Sequence, residues 1–490
     1  MPEPKILFCV PEASPYAKTG GLGDVAAALP DALFKLGCDV RILMPLYRSI
    51  RDSAVPLKPV AENVAMRVGT LDYHVHVWET SGATDVPVYF LEKDEFYDRS
   101  FLYGSPARGD YEDNAERYVT FCRAVQDFCV RIDWFPDIFH LHDWQTGLVS
   151  ALVALNWRFT GNFTRSGTVF TIHNLAYQGL FPADRFGLTG LPPEAFSMEG
   201  LEFWGQCNFM KAGLIYSDFL TTVSPRYSQE IQQPEFGHGL DGVLRSRRNK
   251  LAGILNGVDY SVWSPSTDPL IPVQYDRRSA ASGKLRCKEA LLSELGHPVD
   301  SFKKPLLGVI GRLVSQKGFD LLTEILDELM ELPVSLVILG TGDPAIQEKL
   351  QRTADRCPNR LKTLFRFDER LAHWIEAGAD IFLMPSHYEP CGLNQLYSLR
   401  YGTIPVVHAT GGLDDSVVDS VSHPESGTGF KFSEYKSTSF LAAIQSALDL
   451  FQNREKWAQL RRRAMAQDFS WDRSARQYLQ VYEKVIESKR

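Results

Sequence analysis

The sequence predicts an α/β protein built of two doubly wound domains, and three observations carry that prediction. Short apolar runs rich in Val, Ile, Leu and Phe alternate with longer amphipathic stretches. Near-continuous apolar strands of this kind belong to parallel sheets covered by helices on both faces. The alternation runs through the chain as two series, separated by a stretch rich in Ser, Pro, Asp and Lys. The length, 490 residues, exceeds what one ordinary hydrophobic core organises.

The first series places strands at 5–10, 40–46, 86–91, 137–142, 167–172 and 219–223, with helices at 22–36 and 114–131. The second places strands at 305–310, 334–339, 361–365, 380–384 and 403–408, with helices at 318–331, 344–353 and 392–401. Each series reads as a Rossmann-like, doubly wound sheet. The join is expected after Leu255-Asn256-Gly257-Val258-Asp259, giving domains over 1–260 and 261–470, and the stretch 260–303 reads as a linker. The residues 471–490 read as a helix whose partner face the sequence does not assign; packing back onto the first domain is one option.

Bulk composition narrows the function classes. Hydrophobic residues make up 44% and charged residues 23%, with no low-complexity tract, as in soluble globular proteins. A net charge of -8 argues against bulk nucleic-acid binding and against an anionic membrane surface. An anionic ligand must then be held by local cations. The N-terminus runs into an apolar strand without signal-peptide anatomy, and no apolar run reaches the roughly 18–20 residues of a membrane span. Eight scattered cysteines without a C-x-x-C pair favour a reducing cytoplasm over a disulfide scaffold or a zinc site.

Two loops are built for phosphate, one in each series, and together they suggest a phosphorylated donor gripped across a cleft. Lys18-Thr19-Gly20-Gly21-Leu22-Gly23-Asp24 follows the first strand. Its glycines allow close backbone approach, Lys18 supplies a cation, and the helix from about Leu22 is expected to present free N–H groups. A glycine-capped loop with a surface lysine is the mundane alternative. Gly311-Arg312-Leu313-Val314-Ser315-Gln316-Lys317-Gly318 follows strand 305–310. Arg312 offers a rigid fork and Lys317 a point charge, at the carboxyl end of a strand where open α/β sheets bind ligands.

Further candidates stand at other strand ends. In Ser386-His387-Tyr388-Glu389-Pro390-Cys391-Gly392-Leu393, Glu389 can accept hydrogen bonds from sugar hydroxyls, while the amides of Cys391, Gly392 and Leu393 open the next helix. Thr410-Gly411-Gly412-Leu413 offers another amide nest. His140, His142 and Asp143 invite a metal reading, rejected because no further ligand cluster is visible; His173, in Thr171-Ile172-His173-Asn174, is the better site candidate. Two G-x-G-x-x-A patterns, at 21–26 and 340–345, are dismissed as dinucleotide fingerprints. The first lies too far from its strand and the second contains Pro344.

Taken together, the motifs resemble those of bacterial glycogen synthases and plant starch synthases, retaining glucosyltransferases of the two-domain GT-B fold. The resemblance runs through KTGGLGDV at 18–25, HDWQ at 142–145, TIHN at 171–174, NFMKAGLIYSD at 208–218, TTVSP at 221–225 and GILNGVD at 253–259. It continues in GRLVSQKG at 311–318, EPCGLNQLYSLRYGTIPVV at 389–407 and TGGL at 410–413. It implies transfer of glucose from ADP-glucose to the non-reducing end of an α-1,4-glucan such as glycogen, without cofactor or bound metal. On that resemblance Lys18, Gly20 and Gly21 sit by the donor diphosphate, with Asp24 supporting their loop. Arg312 and Lys317 hold the same diphosphate. Glu389, Cys391, Gly392 and Leu393 position the donor glucose, with Thr410 and Gly411 on the donor side. His173 lies beside the anomeric carbon through its backbone carbonyl, and Asp143 and Asn256 line the glucose and acceptor side. Phe367 stacks on the adenine.

The chain departs from the pattern at Gln145, where His is common, and at Arg366-Phe367, where Gly-Tyr is frequent. Tyr397 stands where broader GT-B transferases carry a second Glu, which favours the glycogen synthase branch over a generic transferase. Two other classes compete: a catalytically dead glucan-binding relative, opposed by the retained charged residues, and a dinucleotide-dependent oxidoreductase, suggested only by the decoy glycines.

Overall fold

In the computed structural model, which describes residues 3–81, 85–105 and 109–490, the chain separates into two compact units. The first comprises residues up to Val223, Ser228–Gly257 and Trp471–Arg490; the second comprises Ser224–Tyr227 and Val258–Ser470.

The first unit is organised by a nine-stranded sheet. Its strands are β1 (Lys5–Cys9), β2 (Asp39–Pro45), β3 (Lys58–Val68), β4 (Leu71–Ser81), β5 (Pro87–Glu92), β6 (Ile138–His142), β7 (Gly167–Ile172), β8 (Phe219–Thr222) and β9 (Leu251–Gly253). Their order is β9-β8-β7-β6-β1-β2-β5-β4-β3. The seven strands from β9 to β5 are parallel, and their centre is apolar because helices cover both faces. The β3–β4 hairpin joins antiparallel at one edge. Strand β3 escapes the strand series read from the sequence because it alternates exposed and buried positions rather than forming a continuous apolar run.

The C-terminal helix Trp471–Glu487 packs on this first unit. It buries Trp471, Ala475, Tyr478, Tyr482 and Val485, a stripe at three- and four-residue spacing. Tyr482 Oη lies 2.8 Å from His140 Nδ1, and Ser474 Oγ donates to the Leu255 carbonyl at 2.6 Å. Gly167 is required here, since a Cβ on it would fall 2.4 Å from Val485 Cγ1.

The second unit holds an all-parallel six-stranded sheet. Its strands are β10 (Leu306–Ile310), β11 (Ser335–Leu339), β12 (Leu361–Leu364), β13 (Ile381–Met384), β14 (Ile404–His408) and β15 (Phe430–Phe432), in the order β12-β11-β10-β13-β14-β15.

The expectation of a linker over 260–303 fails. Helix Ala280–Glu294 lies within it and buries Cys287, Leu291 and Leu292 against the second unit. Trp263 stacks on His373 and Tyr397, with ring centroids 3.8 and 4.0 Å away. The misreading has a physical cause. The buried face of this helix also carries Lys284 and Lys288, so it lacks an apolar stripe. Lys288 Nζ is satisfied by Asp380 Oδ2 at 2.7 Å, and Lys284 Nζ by Thr403 Oγ1 at 2.6 Å and the Ala377 carbonyl at 3.0 Å.

Each sheet reverses its winding at one place. In the first unit β1 has β2 on one side and β6 on the other; in the second β10 lies between β11 and β13. Loops leaving the carboxyl ends of strands diverge at such a switch point and leave a crevice there. Among the described residues no helix is long and apolar enough to cross a membrane.

Candidate active site

The loop after β1 leads from the switch point of the first unit into helix Gly21–Lys35. Three N–H groups at this turn, one of them inside the helix, are engaged by a residue that the motif did not include. Buried Glu12 accepts from the backbone N–H of Thr19 (3.1 Å), Gly20 (3.2 Å) and Gly23 (3.0 Å). It also accepts from the hydroxyls of Thr19 (2.6 Å) and Tyr103 (2.9 Å). A carboxylate from the same chain therefore occupies the positive end of the helix. Burial pushes the Glu12 carboxyl up, and these donors oppose the shift. Lys18 remains exposed and pairs with Asp24 at 2.6 Å.

Beyond the neighbouring strands β6 and β7 stand Asp143 and His173. Asp143 adopts φ 55 and ψ -174, a sparsely populated backbone region for a residue with a side chain. Its Oδ1 accepts from the His173 N–H at 2.7 Å, while its own N–H donates to the Thr171 carbonyl at 3.1 Å. The two turns are locked together, and the peptide that carries His173 is fixed. Burial pushes the Asp143 carboxyl up to about 7, against the hydrogen bonds from the amides of His173 and Asn174.

His173 Nε2 lies 2.9 Å from His142 Nδ1. His142 Nε2 is buried without a partner, and an orphaned buried N–H is more costly than an orphaned acceptor. His142 therefore carries its proton on Nδ1 and donates it to His173. Burial lowers His173 to about 3 and His142 well below its ordinary value, so both rings are neutral at neutral pH. His140 is taken by Thr171 Oγ1 at 2.6 Å and by Tyr482. Among the described residues no three His, Cys, Asp or Glu side chains form a group able to hold a metal ion. Asn256, past the end of β9, is buried and its Oδ1 has no partner.

The second unit assembles its candidates more tightly. Arg312 and Lys317 follow β10, and Glu389 follows β13 across the switch point. Lys317 Nζ donates to Glu389 Oε2 at 2.5 Å, and Ser386 Oγ donates to the same oxygen at 3.0 Å. Gly318, at φ 77, allows the close approach: a Cβ there would meet the Pro385 carbonyl oxygen at 2.0 Å. Thr410-Gly411-Gly412 wraps the Glu389 loop. Gly412 N donates to the Glu389 carbonyl at 3.2 Å, and a Cβ on Gly411 would fall 2.0 Å from that oxygen. Cys391 is buried, Gly392 sits at φ 71, and helix Asn394–Tyr401 starts directly after Leu393. Arg312 is exposed and makes no ion pair among the described residues.

Phe367 is not gathered into this group. It lies beyond β12, two strands from β10, and is 91% exposed. Tyr397 is committed to packing through its stack on Trp263. Glu12 had no signal in the motif, because its distance from the glycines is bridged only by folding the loop back.

Two doubly wound units, each with a glycine-and-cation loop at its switch point, have the architecture of a GT-B glycosyltransferase. The profile of the starch synthase catalytic domain matches residues 5–246, and that of glycosyl transferases group 1 matches residues 298–464. The glycogen synthase of Syntrophotalea carbinolica is 46% identical over 98% of this chain and 99% of its own length. That of Koribacter versatilis is 44% identical over 98% of both. Among solved structures, the catalytic domain of starch synthase IV from Arabidopsis thaliana, bound to ADP and acarbose, superposes with a TM-score of 0.91 at 33% identity. It covers 99% of this chain and 100% of that one. Sucrose-phosphate synthase from Thermosynechococcus elongatus shares the fold at a TM-score of 0.61 and 18% identity, covering 99% of each chain. The chain belongs to the glycogen synthase and starch synthase family, and it is a glucosyltransferase.

Proposed function

We propose that this protein transfers glucose from ADP-glucose to the non-reducing end of an α-1,4-glucan, with retention of the α configuration and without a bound metal, and that it elongates glycogen in the cytoplasm. The observation that carries the reading is the Lys317–Glu389 pair at the switch point of the second unit. It sets a cation for a leaving diphosphate beside a buried carboxylate for sugar hydroxyls. The ADP named with the Arabidopsis relative supports the choice of base.

In this mechanism the bond from the anomeric carbon to the diphosphate oxygen breaks, and the electron pair leaves with the diphosphate. Arg312 and Lys317 stabilise the charge that develops, each contributing roughly 3 kcal/mol, or about a hundredfold in rate. Lys18, Gly20 and Gly21 are assigned to donor binding. The acceptor hydroxyl attacks from the face the diphosphate leaves, and a phosphate oxygen takes its proton. Glu389 acts as a fixed hydrogen-bond acceptor, its Oε2 held in place by Lys317 and Ser386. His173 acts through its backbone carbonyl: its ring is neutral at neutral pH and is engaged with His142. Asp143 positions that peptide.

The test is a donor-competition assay on one glycogen primer with radiolabelled ADP-glucose and UDP-glucose. Incorporation from ADP-glucose in the larger amount, in chains that an α-1,4-specific exohydrolase releases, is expected. Preference for UDP-glucose, or no incorporation from either, overturns the reading.

A further inference from the structure

The candidate active site uses the carboxyl edge of the second unit's sheet. At the opposite edge lies an open pocket of about 720 Å³ lined by Arg277, Arg278, Gln459, Arg462, Arg463 and Ala466. Four arginines line it on a chain whose net charge is -8, and none of the lining residues is acidic. The location follows from Gly402, which precedes β14: a Cβ on it would fall 2.8 Å from Arg461 Cγ and 2.9 Å from Met465 Sδ.

The arginines come from two segments, and both are held in place. Arg462 and Arg463 end helix Arg454–Ala464, where basic residues are favoured by the helix dipole. That accounts for a solvated basic turn, but not for the approach of Arg277 and Arg278 from the start of helix Ala280–Glu294. Asp276 fixes their turn, since its Oδ1 accepts from the N–H of Arg278 (2.9 Å) and Ser279 (2.8 Å) and from Ser279 Oγ (2.7 Å). Arg463 is pinned by the carbonyls of Gly427 (2.9 Å) and Pro424 (3.0 Å). Arg277, Arg278 and Arg462 are exposed and make no ion pair among the described residues. Like charges held together repel, and an anion that bridges them relieves the repulsion. Guanidinium forks match phosphate oxygens two at a time, and the volume falls within the range of small-molecule sites.

We propose that this pocket is a second anion site, which takes a small phosphate-bearing metabolite, a phosphorylated sugar or a nucleotide, without competing with the glucosyl donor. The test is calorimetric titration of the full chain with inorganic pyrophosphate and, separately, with glucose 6-phosphate. Three proteins are compared: unaltered, Arg312→Ala/Lys317→Ala, and Arg277→Ala/Arg278→Ala/Arg462→Ala. The expected result is binding of at least one probe that persists in the Arg312/Lys317 variant and weakens at least tenfold in the triple arginine variant. A single Arg462→Glu protein with an unchanged melting temperature gives the same readout should the triple variant fold poorly. Equal binding by the arginine variants overturns the proposal, as does loss of all binding in the Arg312/Lys317 variant. Arginine-dependent capture of duplex DNA with no response to either small anion also overturns it.

Discussion

Lys18 and Lys317 both end on a carboxylate, at 2.6 Å from Asp24 and 2.5 Å from Glu389, but their surroundings differ. In the first unit the buried carboxylate is Glu12, and it serves backbone amides. The lysine is left in an exposed pair, the kind that contributes about 0–1 kcal/mol. In the second unit the buried carboxylate serves the lysine itself: the Glu389 side chain is 8% exposed and that of Lys317 is 25% exposed. Two loops that look alike as glycine-and-cation sequences are thus held by different means. The first is a backbone cradle with a mobile charge, and the second is a charge pair built into the end of the sheet.

The sharpest way to break the comparison is to remove each lysine. Lys317→Ala is expected to lower kcat at least a hundredfold and to destabilise the protein by on the order of 2 kcal/mol, because it leaves Glu389 buried without its cation. Adding Glu389→Gln is expected to restore the melting temperature but not the activity. Lys18→Ala is expected to reduce activity with stability unchanged within about 0.5 kcal/mol. Equal melting temperatures for Lys317→Ala and Lys18→Ala would dissolve the distinction. Arg312→Ala is expected to cost roughly a hundredfold in kcat with no change in stability, since its side chain is exposed and unpaired among the described residues.

The cradle has its own test. In Glu12→Gln an amide NH2 faces donors that both carboxylate oxygens now accept, so a loss of about 1–3 kcal/mol in urea unfolding is expected, with a raised KM for the donor. A pH titration reaches the neighbouring turn. The Asp143 carboxyl is raised to about 7 by burial, above its unfolded value, so its protonated form favours the folded chain. That contribution is full below about pH 4, declines as pH rises, and is gone above pH 7; it amounts to at most about 4 kcal/mol. Asp143→Asn is expected to flatten the pH dependence of stability across this window. A slope identical to that of the unaltered protein counts against Asp143 as its source. The smallest effect is expected from Phe367→Ala: a rise of a few fold in KM for ADP-glucose with no shift in melting temperature, given its 91% exposure.

The strands of both parallel series, the glycine loops and the candidates at strand ends were legible because their signals are local. Apolar runs report burial on both faces, and glycines beside cations report close backbone approach. Strand β3 and helix Ala280–Glu294 were not, since one alternates at an edge and the other buries lysines. What joins the candidates is not local either. Lys317 and Glu389 are 72 residues apart, and Tyr482 reaches His140 across 342. Those meetings depend on strand order, on which side of β1 and β10 the chain crosses over, and periodicity along the chain carries no record of that choice. The seat of Glu12 under the first loop, the proton shared by His142 and His173, and the docking of the last helix were therefore decided in three dimensions. There, buried polar groups had to find partners once packing had removed them from water.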